Sequence, residues 1–347
     1  MLRFLTAGES HGEGLIGILE GMPCGLKIDI DFIDRELKRR QEGYGRGERM
    51  KIEKDRARIL SGVLHGVTIG SPICIIVMNR DFSIENLPEL KNVRPGHADL
   101  AGALKYGFKD ARPVLERASA RETAIRVAIG AICKLFLLEF NIKVLSRVLM
   151  VGGVSGEKEI KKKIDAAIKA KDTLGGVFEV IVKGVPPGLG SYVHFDRRLD
   201  ANLAGIVMSI PGIKAVEIGN AIEASKKFGS EVHDEIFYSN KRSFYRVTNN
   251  AGGIEGGVSN GEDIVVRGYM KPISTLMKGL RTVDIVTKKP VRAATERSDV
   301  CAVDSVAVIG EAVCGFVISN AILEKFGGDN LLEIKKAYRA YLDTVKS

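Results

Sequence analysis

Tryptophan is absent from this 347-residue chain, and aromatic residues make up only 6% of it. Proteins that bind nucleic acids often place aromatic side chains among basic residues, because bases stack on them. The scarcity of aromatic residues therefore favours a small anionic ligand over a nucleic acid. A basic nucleic-acid-binding protein stays open as an alternative, since the formal net charge is +9 and excess positive charge attracts anions of every size.

The chain also has little that would suggest a disulfide framework, a metal site or a membrane anchor. Its five cysteines are scattered and never form a CxxC pair, which argues against disulfides and zinc. No apolar run reaches the roughly 18 residues of a transmembrane helix, and the first residues lack the apolar core of a signal peptide. We therefore expect a cytoplasmic protein that needs no metal and does not bind membranes.

A faint internal duplication is the main feature of the chain's organisation. Three pairs of similar segments occur in the same order: 21–26 with 184–189, 62–70 with 253–261, and 116–117 with 296–297. Gly130 and Gly310 follow at equal distances, each inside an apolar segment. No linker rich in Pro, Ser or Gly separates the copies. We therefore expect one domain, 1–347, built of two similar halves, about 1–150 and 151–347, that share a core.

Hydrophobic periodicity predicts a mixture of strands and helices. Runs rich in Ile and Val predict strands over 15–19, 59–64, 73–78, 144–151, 177–182 and 264–269. Helical patterns cover 31–40, 119–140, 157–169, 197–208, 304–326 and 331–346. Segments 124–140 and 303–322 are apolar nearly all round, which is typical of central helices. The expected fold is α+β, with sheets packed on both faces of central helices.

Residues 8–12 (GESHG) match the G-x-S-x-G pattern of serine hydrolases. That motif requires a strand before it and a helix after it, whereas the following residues predict another strand. An esterase with Ser10 as nucleophile is therefore a minor alternative. A glycine-rich turn that displays His11 is favoured, and an imidazole there suits acid–base chemistry because its pKa lies near neutrality.

Arginines recur in the glycine-rich segments. Residues 40–51 (RQEGYGRGERMK) contain three arginines and a lysine among three glycines, and such a backbone can fold so that guanidinium groups converge on one anion. A solvated loop is the alternative. Residues 94–99 (RPGHAD) place His97 beside Arg94 in a Pro-Gly turn.

Two further arginines precede the predicted central helices. In residues 117–124 (RASARETA), Ser119 is a candidate N-cap and Glu122 its capping-box partner, so the helix N-terminus could hold a phosphate. Arg297 takes the place of Arg117 in the second copy, which suggests a ligand held between the halves. Simple capping with surface charge is the alternative. The glycine-dense segment 251–261 matches neither a dinucleotide-binding motif nor a P-loop.

Together these segments resemble the chorismate synthase family. Its motifs are matched, in order and over nearly the whole chain, by 8–12, 43–55, 94–99, 117–124, 251–259, 271–275 and 297–299. The resemblance implies a 1,4-trans elimination of phosphate from 5-enolpyruvylshikimate-3-phosphate, which gives chorismate in the last common step of the shikimate pathway. It also implies reduced FMN without net redox change, a homotetramer, and a layered β-α-β sandwich with central helices between two antiparallel sheets.

The resemblance also implies roles for individual residues. His11 would protonate the departing phosphate, His97 would maintain the protonation state of the flavin, and Asp299 with Ser10 would help to remove the proton from flavin N5. The positions implied for substrate or NADP binding are Arg40, Arg46, Arg49, Arg94 and Arg121. The implied flavin contacts are Arg117, Ala118, Ser119, Gly256, Lys271, Pro272, Ile273, Ser274, Thr275 and Arg297.

Two residues depart from the family pattern. Glu116 stands where glycine is common, and a carboxylate beside Arg117 is expected to weaken binding of the flavin phosphate unless it points away. Asp304 replaces a frequent proline and is expected to act as a helix N-cap. No additional flavin-reductase domain is visible, so we expect an external source of reduced flavin, with NADPH at most an indirect reductant.

Overall fold

The computed structural model describes residues 1–47, 53–296 and 299–346. Within these ranges the α-helices are α1 (Ile30–Gln41), α2 (Asp99–Tyr106), α3 (Arg112–Ala118), α4 (Thr123–Leu138), α5 (Glu157–Lys169), α6 (Leu199–Met208), α7 (Ala221–Ala224), α8 (Gly229–Val232), α9 (Val303–Phe326) and α10 (Leu331–Lys346). The strands of the first half are β1 (Arg3–Ala7), β2 (Gly14–Glu20), β3 (Ala57–Ile59), β4 (Val63–Leu64), β5 (Val67–Thr68) and β6 (Ile73–Met78). Those of the second half are β7 (Lys143–Val151), β8 (Gly176–Lys183), β9 (Ile213–Ile218), β10 (Ile236–Ser239), β11 (Ser243–Arg246), β12 (Ile254–Glu255), β13 (Val258–Ser259), β14 (Ile264–Met270), β15 (Arg281–Val283) and β16 (Pro290–Arg292).

Two four-stranded sheets, antiparallel throughout, form the framework. Sheet 1 has the order β1-β2-β6-β3, and sheet 2 has the order β7-β8-β14-β9. When the two-stranded hairpins β4–β5, β10–β11, β12–β13 and β15–β16 are set aside, both sheets pair the strands of their half in the order first, second, fourth, third. The strands alternate as expected for a half-buried sheet: in β6, Ile73, Ile75 and Val77 are buried, and Met78 is exposed.

The two apolar helices lie between elements of the two sheets. Helices α4 and α9 pack against each other, α4 also contacts β2 and β6, and α9 also contacts β7 and β8. One hydrophobic cluster extends from Leu2 to Tyr338 and contains buried residues of both halves. Helix α9 is long and apolar enough to cross a membrane, but 89% of its apolar window is buried inside the fold. It is therefore the core helix that its all-round apolar sequence predicts.

Gly130 marks the closest approach of the two central helices. A Cβ atom added there would lie 2.4 Å from Cβ and 2.5 Å from Cα of Ala312 on α9. Replacing Gly130 with alanine is expected to lower the free energy of unfolding by about 1–3 kcal/mol, because overpacking forces the helices apart. Urea denaturation measures this change.

Gly205 provides the matched control, because it lies in helix α6 with open space where its Cβ would be. Gly205→Ala is expected to raise the free energy of unfolding by roughly 0.5–1 kcal/mol through helix propensity alone. If Gly130→Ala were as stable as the wild type, the close crossing of α4 and α9 would be wrong.

The halves repeat a side-chain arrangement as well as a strand order. The Thr68 hydroxyl donates to the carbonyl of Pro23 at 2.7 Å, and the Ser259 hydroxyl donates to that of Pro186 at 2.7 Å. Each hydroxyl also accepts a bond from the backbone N–H three residues after that proline. The first two segment pairs of the sequence duplication therefore make equivalent contacts.

Some predicted elements are corrected by the structure. The predicted strand 59–64 is two strands: Ala57–Ile59 pairs with β6, and Val63–Leu64 pairs with β5. The chain turns between them at Gly62, whose φ is +82°, a conformation that glycine adopts readily. Helix α6 begins at Leu199 rather than at 197, because a 3-10 turn (Phe195–Arg197) precedes it.

The prediction that Asp304 is an N-cap is also wrong. Helix α9 begins at Val303, its N-cap position is Ala302, and Asp304 lies inside the first turn. Burial raises the pKa of Asp304, although the nearby Arg46 acts in the opposite direction. A carboxylate in the first turn still interacts favourably with the helix dipole, so the position suits an acidic residue for a different reason.

Candidate active site

The His11 turn, residues 8–12, joins the antiparallel strands β1 and β2. The strand-to-helix turn that the esterase alternative requires is therefore absent. The Asn79 side-chain amide donates to the carbonyl oxygens of Glu9, Ser10 and Gly12 at 3.2, 3.2 and 2.7 Å. The Asn79 amide thus holds the whole turn. The His11 side chain on this turn is largely buried.

Glu116 of α3 holds His11 on its other side. The His11 backbone N–H donates to Glu116 Oε2 at 2.9 Å, and Nδ1 lies 3.0 and 3.1 Å from the two carboxylate oxygens. Burial acts to raise the pKa of Glu116, but the hydrogen bonds and charge of His11, with the charge of Arg112, outweigh it, so the pKa lies below its usual range. Nε2 of His11 lies 3.9 Å from Asp81 Oδ2.

A buried arginine cluster lies next to this turn. Asp55 accepts hydrogen bonds from Arg40 Nη2 at 2.8 Å and from Arg121 Nη1 at 2.7 Å, and all three side chains are nearly inaccessible to solvent. Arg121 Nε donates to Asn79 Oδ1 at 2.8 Å. Because Asn79 also holds the His11 turn, one residue ties the proposed acid to the arginines.

Three guanidinium groups of this region have a buried N–H without a hydrogen-bond partner among the described residues. The atoms are Arg40 Nε, Arg46 Nε and Arg121 Nη2. Arg121 Nη2 lies 3.7 Å from Glu53 Oε2, which is within ion-pair range but too long for a hydrogen bond. The other such atom in the described ranges, Arg246 Nε, lies only 2.6 Å from a carboxylate oxygen of Glu255. Buried donors are normally satisfied, so the three unpaired donors fit the oxygen atoms of an anion.

The pKa of Arg40 supports an anion site. Burial lowers it, and the charges of Arg121 and Arg46 lower it further, although Asp55 acts in the opposite direction. Burial and the two neighbouring guanidinium groups therefore disfavour the charged form of Arg40. A bound anion would favour the charged form of each guanidinium.

Arg46 connects the cluster to the second half. Its Nη1 lies 3.2 Å from Asp299 Oδ2, and the backbone N–H of Gly47 donates to Asp299 Oδ1 at 2.6 Å. The structure thus brings together a predicted substrate-binding arginine and a predicted catalytic carboxylate that are far apart in sequence. The predicted site residues Arg49 and Arg297 lie outside the described residues.

His97 belongs to a second cluster. Asp99, which is fully buried, accepts from His97 Nδ1 at 2.5 Å and from Arg94 Nε and Nη2 at 2.8 and 2.9 Å. Burial acts to raise the pKa of Asp99, but Arg94 and His97 hold it well below its usual range. Arg94 Nη1 donates to Thr275 Oγ1 at 2.7 Å. Arg94 stays a predicted substrate-binding residue, although these contacts already engage its guanidinium.

The predicted flavin-binding segment 271–275 packs on the His97 turn. Lys271 Nζ donates to the carbonyl of Gly96 and to Ser274 Oγ, and Ser274 Oγ donates to the same carbonyl at 2.7 Å. The carbonyl of Ile273 accepts from Thr173 Oγ1 at 2.7 Å, which fixes the loop at Pro272 and Ile273. Partial burial lowers the pKa of Lys271, and the nearby Lys214 lowers it further.

Arg117 does not open the central helix, contrary to the sequence prediction. It lies in the last turn of α3, and its guanidinium donates to the carbonyls of Gly8 and Thr6 at 3.2 and 3.1 Å. Glu116, its neighbour, points towards His11 and Arg112 instead. The structure therefore gives no support to the expectation that the Glu116 carboxylate opposes Arg117.

Ser119 is a cap, but not of the central helix. Its hydroxyl accepts from the backbone N–H of Arg121 at 3.3 Å and caps the 3-10 turn Ala120–Glu122 that precedes α4. It also donates to Ser10 Oγ at 3.1 Å, beside Ala118 at the end of α3. The predicted capping box is wrong, because the Glu122 carboxylate binds Thr6 and Arg126.

Helices α2 and α3 connect the clusters of His11 and His97. Helix α2 carries Asp99, and α3 carries Glu116. The two helices contact each other around a small hydrophobic cluster that is separate from the main core. Gly256 has no described contact with the His11 or His97 cluster. It lies in the turn of the β12–β13 hairpin, which pairs with Gly190. No group of three or more potential metal ligands occurs within the described ranges.

Sequence reasoning missed four residues that organise the site. They are Asp55, Asn79, Asp99 and Glu116. Asp55 and Asp99 lie inside motifs that the sequence singled out, so a search for carboxylates near the arginines and His97 could have found them. Asn79 follows a buried strand without any local signal. Glu116 was noticed for its charge, but its partner His11 is 105 positions away.

Comparisons with known proteins agree on one family. A family model described as chorismate synthase matches residues 2–323. The chorismate synthase of Thermoanaerobacter pseudethanolicus is 56% identical, and that of Caldanaerobacter subterraneus subsp. tengcongensis is 54% identical, each over 100% of both chains. A crystal structure of chorismate synthase is 42% identical, with a TM-score of 0.84, over 99% of this chain and 98% of that chain.

Proposed function

The chain belongs to the chorismate synthase family and is a carbon–oxygen lyase that forms chorismate, and we propose that it acts on 5-enolpyruvylshikimate-3-phosphate with reduced FMN. The buried arginine cluster carries this proposal. Arg40, Arg46 and Arg121 each have a buried N–H without a hydrogen-bond partner in the described residues, and Arg121 shares Asn79 with the His11 turn. The proposed substrate has one phosphate and two carboxylates, which such donors bind through charge-assisted hydrogen bonds.

His11 is the proposed proton donor to the departing phosphate. Glu116 holds Nδ1, so Nε2 is the nitrogen that exchanges a proton with the substrate. Asn79 links the arginine cluster to the His11 turn. The cluster is proposed to stabilise the negative charge that develops on the phosphate. Ser10, which is buried beside Ser119, and Asp299, which is paired with Arg46, are the proposed further proton-transfer groups.

The His97 cluster fits the phosphate of a flavin nucleotide. Lys271 is a partly buried cation with a lowered pKa beside Lys214, and a phosphate there would relieve their repulsion. The residues proposed to hold the nucleotide are Arg117, Ala118, Ser119, Gly256, Lys271, Pro272, Ile273, Ser274, Thr275 and Arg297. When bound, reduced FMN supplies electron density as phosphate leaves and accepts the C6 proton at N5. His97, whose Nδ1 is held by Asp99, is proposed to control protonation in this region.

The remaining proposals concern architecture and setting. Helices α4 and α9, packed together with a sheet on each, support one domain with a layered β-α-β arrangement. The shared strand order and the paired contacts of Thr68 and Ser259 support an internal duplication with a pseudo-twofold axis. A cytoplasmic location and an external supply of reduced flavin, with NADPH as an indirect reductant, complete the proposal.

A homotetramer is also proposed. The outer face of sheet 1 exposes Leu5, Ile16 and Ile18: Leu5 pairs with Ile18, and Ile16 pairs with the half-buried Ile76. Apolar patches of this kind are typical of protein interfaces, and a second copy of the chain would cover them. Sedimentation equilibrium is expected to give the mass of four chains, and a monomer would contradict the proposal.

Thermal unfolding without flavin tests the proposed anion site. A ligand that binds only the folded state raises the midpoint, by an amount that grows with its concentration relative to Kd. The full substrate is expected to raise the midpoint, whereas shikimate, which lacks the phosphate and the enolpyruvyl carboxylate, is expected to have much less effect. Equal shifts with both ligands, or none with the substrate, would contradict the assignment of the arginine cluster.

A further inference from the structure

Glu116 makes more contacts with the His11 turn than a surface carboxylate would. Its side chain is 1% exposed, both carboxylate oxygens lie within 3.1 Å of His11 Nδ1, and Oε2 accepts from the His11 backbone N–H. Its own backbone carbonyl accepts from Ser10 N–H at 3.0 Å. Backbone and side chain of one residue in α3 therefore hold the turn that carries the proposed proton donor.

The contact has a definite chemical consequence for the imidazole ring. An ionised carboxylate only accepts hydrogen bonds, so Nδ1 must carry the proton when His11 is neutral. The other nitrogen, Nε2, is then the atom that gains and loses a proton. The carboxylate also stabilises the imidazolium form by its charge.

Among the described residues, Asp81 and Arg112 are further charged groups that lie near His11 or its partner Glu116. Asp81, after β6, lies 3.9 Å from Nε2 and is 44% exposed, so solvent weakens its effect. Arg112 of α3 lies 3.7 Å from Glu116 Oε1, but it also pairs with Glu296 at 2.9 Å. Glu116 is the buried carboxylate in direct contact with the ring, and Arg112 is shared between two carboxylates.

From this geometry we propose that Glu116 is a positioning residue that fixes the tautomer and orientation of the His11 ring, so that Nε2 is the nitrogen that transfers the proton. The inference rests on the proposed role of His11 in catalysis. The lowered pKa of Glu116 is consistent with it, because the two groups stabilise each other's charged forms. Glu116 itself acts through His11.

The test is a histidine NMR titration of Glu116→Gln without flavin or substrate. The chain has five histidines, and the His11 signals are assigned by their loss in His11→Asn. In the wild type, neutral His11 is expected to carry its proton on Nδ1. In Glu116→Gln the neutral ring is expected to mix both tautomers, because glutamine can also donate.

Controls separate this effect from a loss of structure. Asp81→Asn removes the more exposed carboxylate and is expected to leave the proton of the neutral ring on Nδ1. Glu116→Asp keeps a carboxylate, which accepts and cannot donate, and is expected to retain that tautomer, which also provides a readout if the glutamine variant folds poorly. An unchanged tautomer in folded Glu116→Gln, or mixed tautomers in folded Glu116→Asp, would overturn the proposal.

Turnover gives a second readout with a defined sign. Glu116→Gln is expected to lower kcat more than it changes KM, because His11 is proposed to act in the chemical step and not in substrate binding. The NMR result does not depend on turnover: lack of any chorismate formation by the wild type would contradict the proposed function alone.

Discussion

Replacing His11 with alanine is expected to reduce kcat by about 10²–10⁴-fold, the usual contribution of a general acid. The side chain leaves a turn that Asn79 and the backbone carbonyl of Glu116 still hold, so the fold and substrate binding are expected to survive. Anaerobic turnover with reduced FMN measures the loss, and circular dichroism checks the fold.

His194→Ala is the matched control for this prediction. His194 is exposed and pairs with Asp196, also exposed, away from the described contacts of the His11 turn. Its removal is expected to leave kcat near that of the wild type. A His11→Ala variant with a similar kcat would show that the departing phosphate does not take its proton from this residue.

Arg121→Lys is expected to lower kcat/KM by about 10–150-fold, which corresponds to about 1.5–3 kcal/mol for one hydrogen bond to a charged group. Lysine keeps the positive charge but replaces the planar fork with a single ammonium. It cannot reach Asn79 and Asp55 and also supply the donor of Arg121 Nη2, which has no hydrogen-bond partner in the described residues. Steady-state kinetics in the wild type and the variant measure the change.

Arg126→Lys, in the first turn of α4, is the control. Its guanidinium is largely buried and pairs with Glu122 at 2.8 Å and with Ser209 at 2.9 Å. This variant is expected to retain kcat/KM within a few-fold, because lysine keeps the charge beside Glu122 and neither partner belongs to the arginine cluster. If both lysine variants had the same kcat/KM, Arg121 would have a structural role only. Thermal unfolding of both variants excludes a general loss of stability as the cause.

Strongly periodic segments of the fold were predictable from the sequence. Strand Ile73–Met78 and helix Glu157–Lys169 have the bounds that alternation and the helical pattern predict. Helices α2 and α3 were missed because they are short, and Gly102 and Pro113 interrupt any clear pattern. The strand predicted over 59–64 failed for a local reason, since one glycine with positive φ turns the chain between two short strands.

The candidate site was predictable only in part. Local motifs predicted His11, His97, Arg40 and Arg46, because glycine-rich turns can present a histidine or an arginine side chain to a ligand. Their partners depend on long-range packing. Glu116 reaches His11 only because α3 ends beside the β1–β2 turn, and no pattern in either segment indicates that approach. Asp99 lies in the same motif as His97, so the contact between these two residues could have been predicted from the sequence alone.

The measurement that tests the account most directly is anaerobic phosphate release from 5-enolpyruvylshikimate-3-phosphate, with chorismate followed by its absorbance. Parallel reactions contain dithionite-reduced FMN, oxidised FMN or no flavin. We predict that phosphate and chorismate appear in equal amounts, and only with reduced FMN. Failure to release phosphate under all three conditions, with folded protein and intact substrate, would contradict the account, as would phosphate release without chorismate.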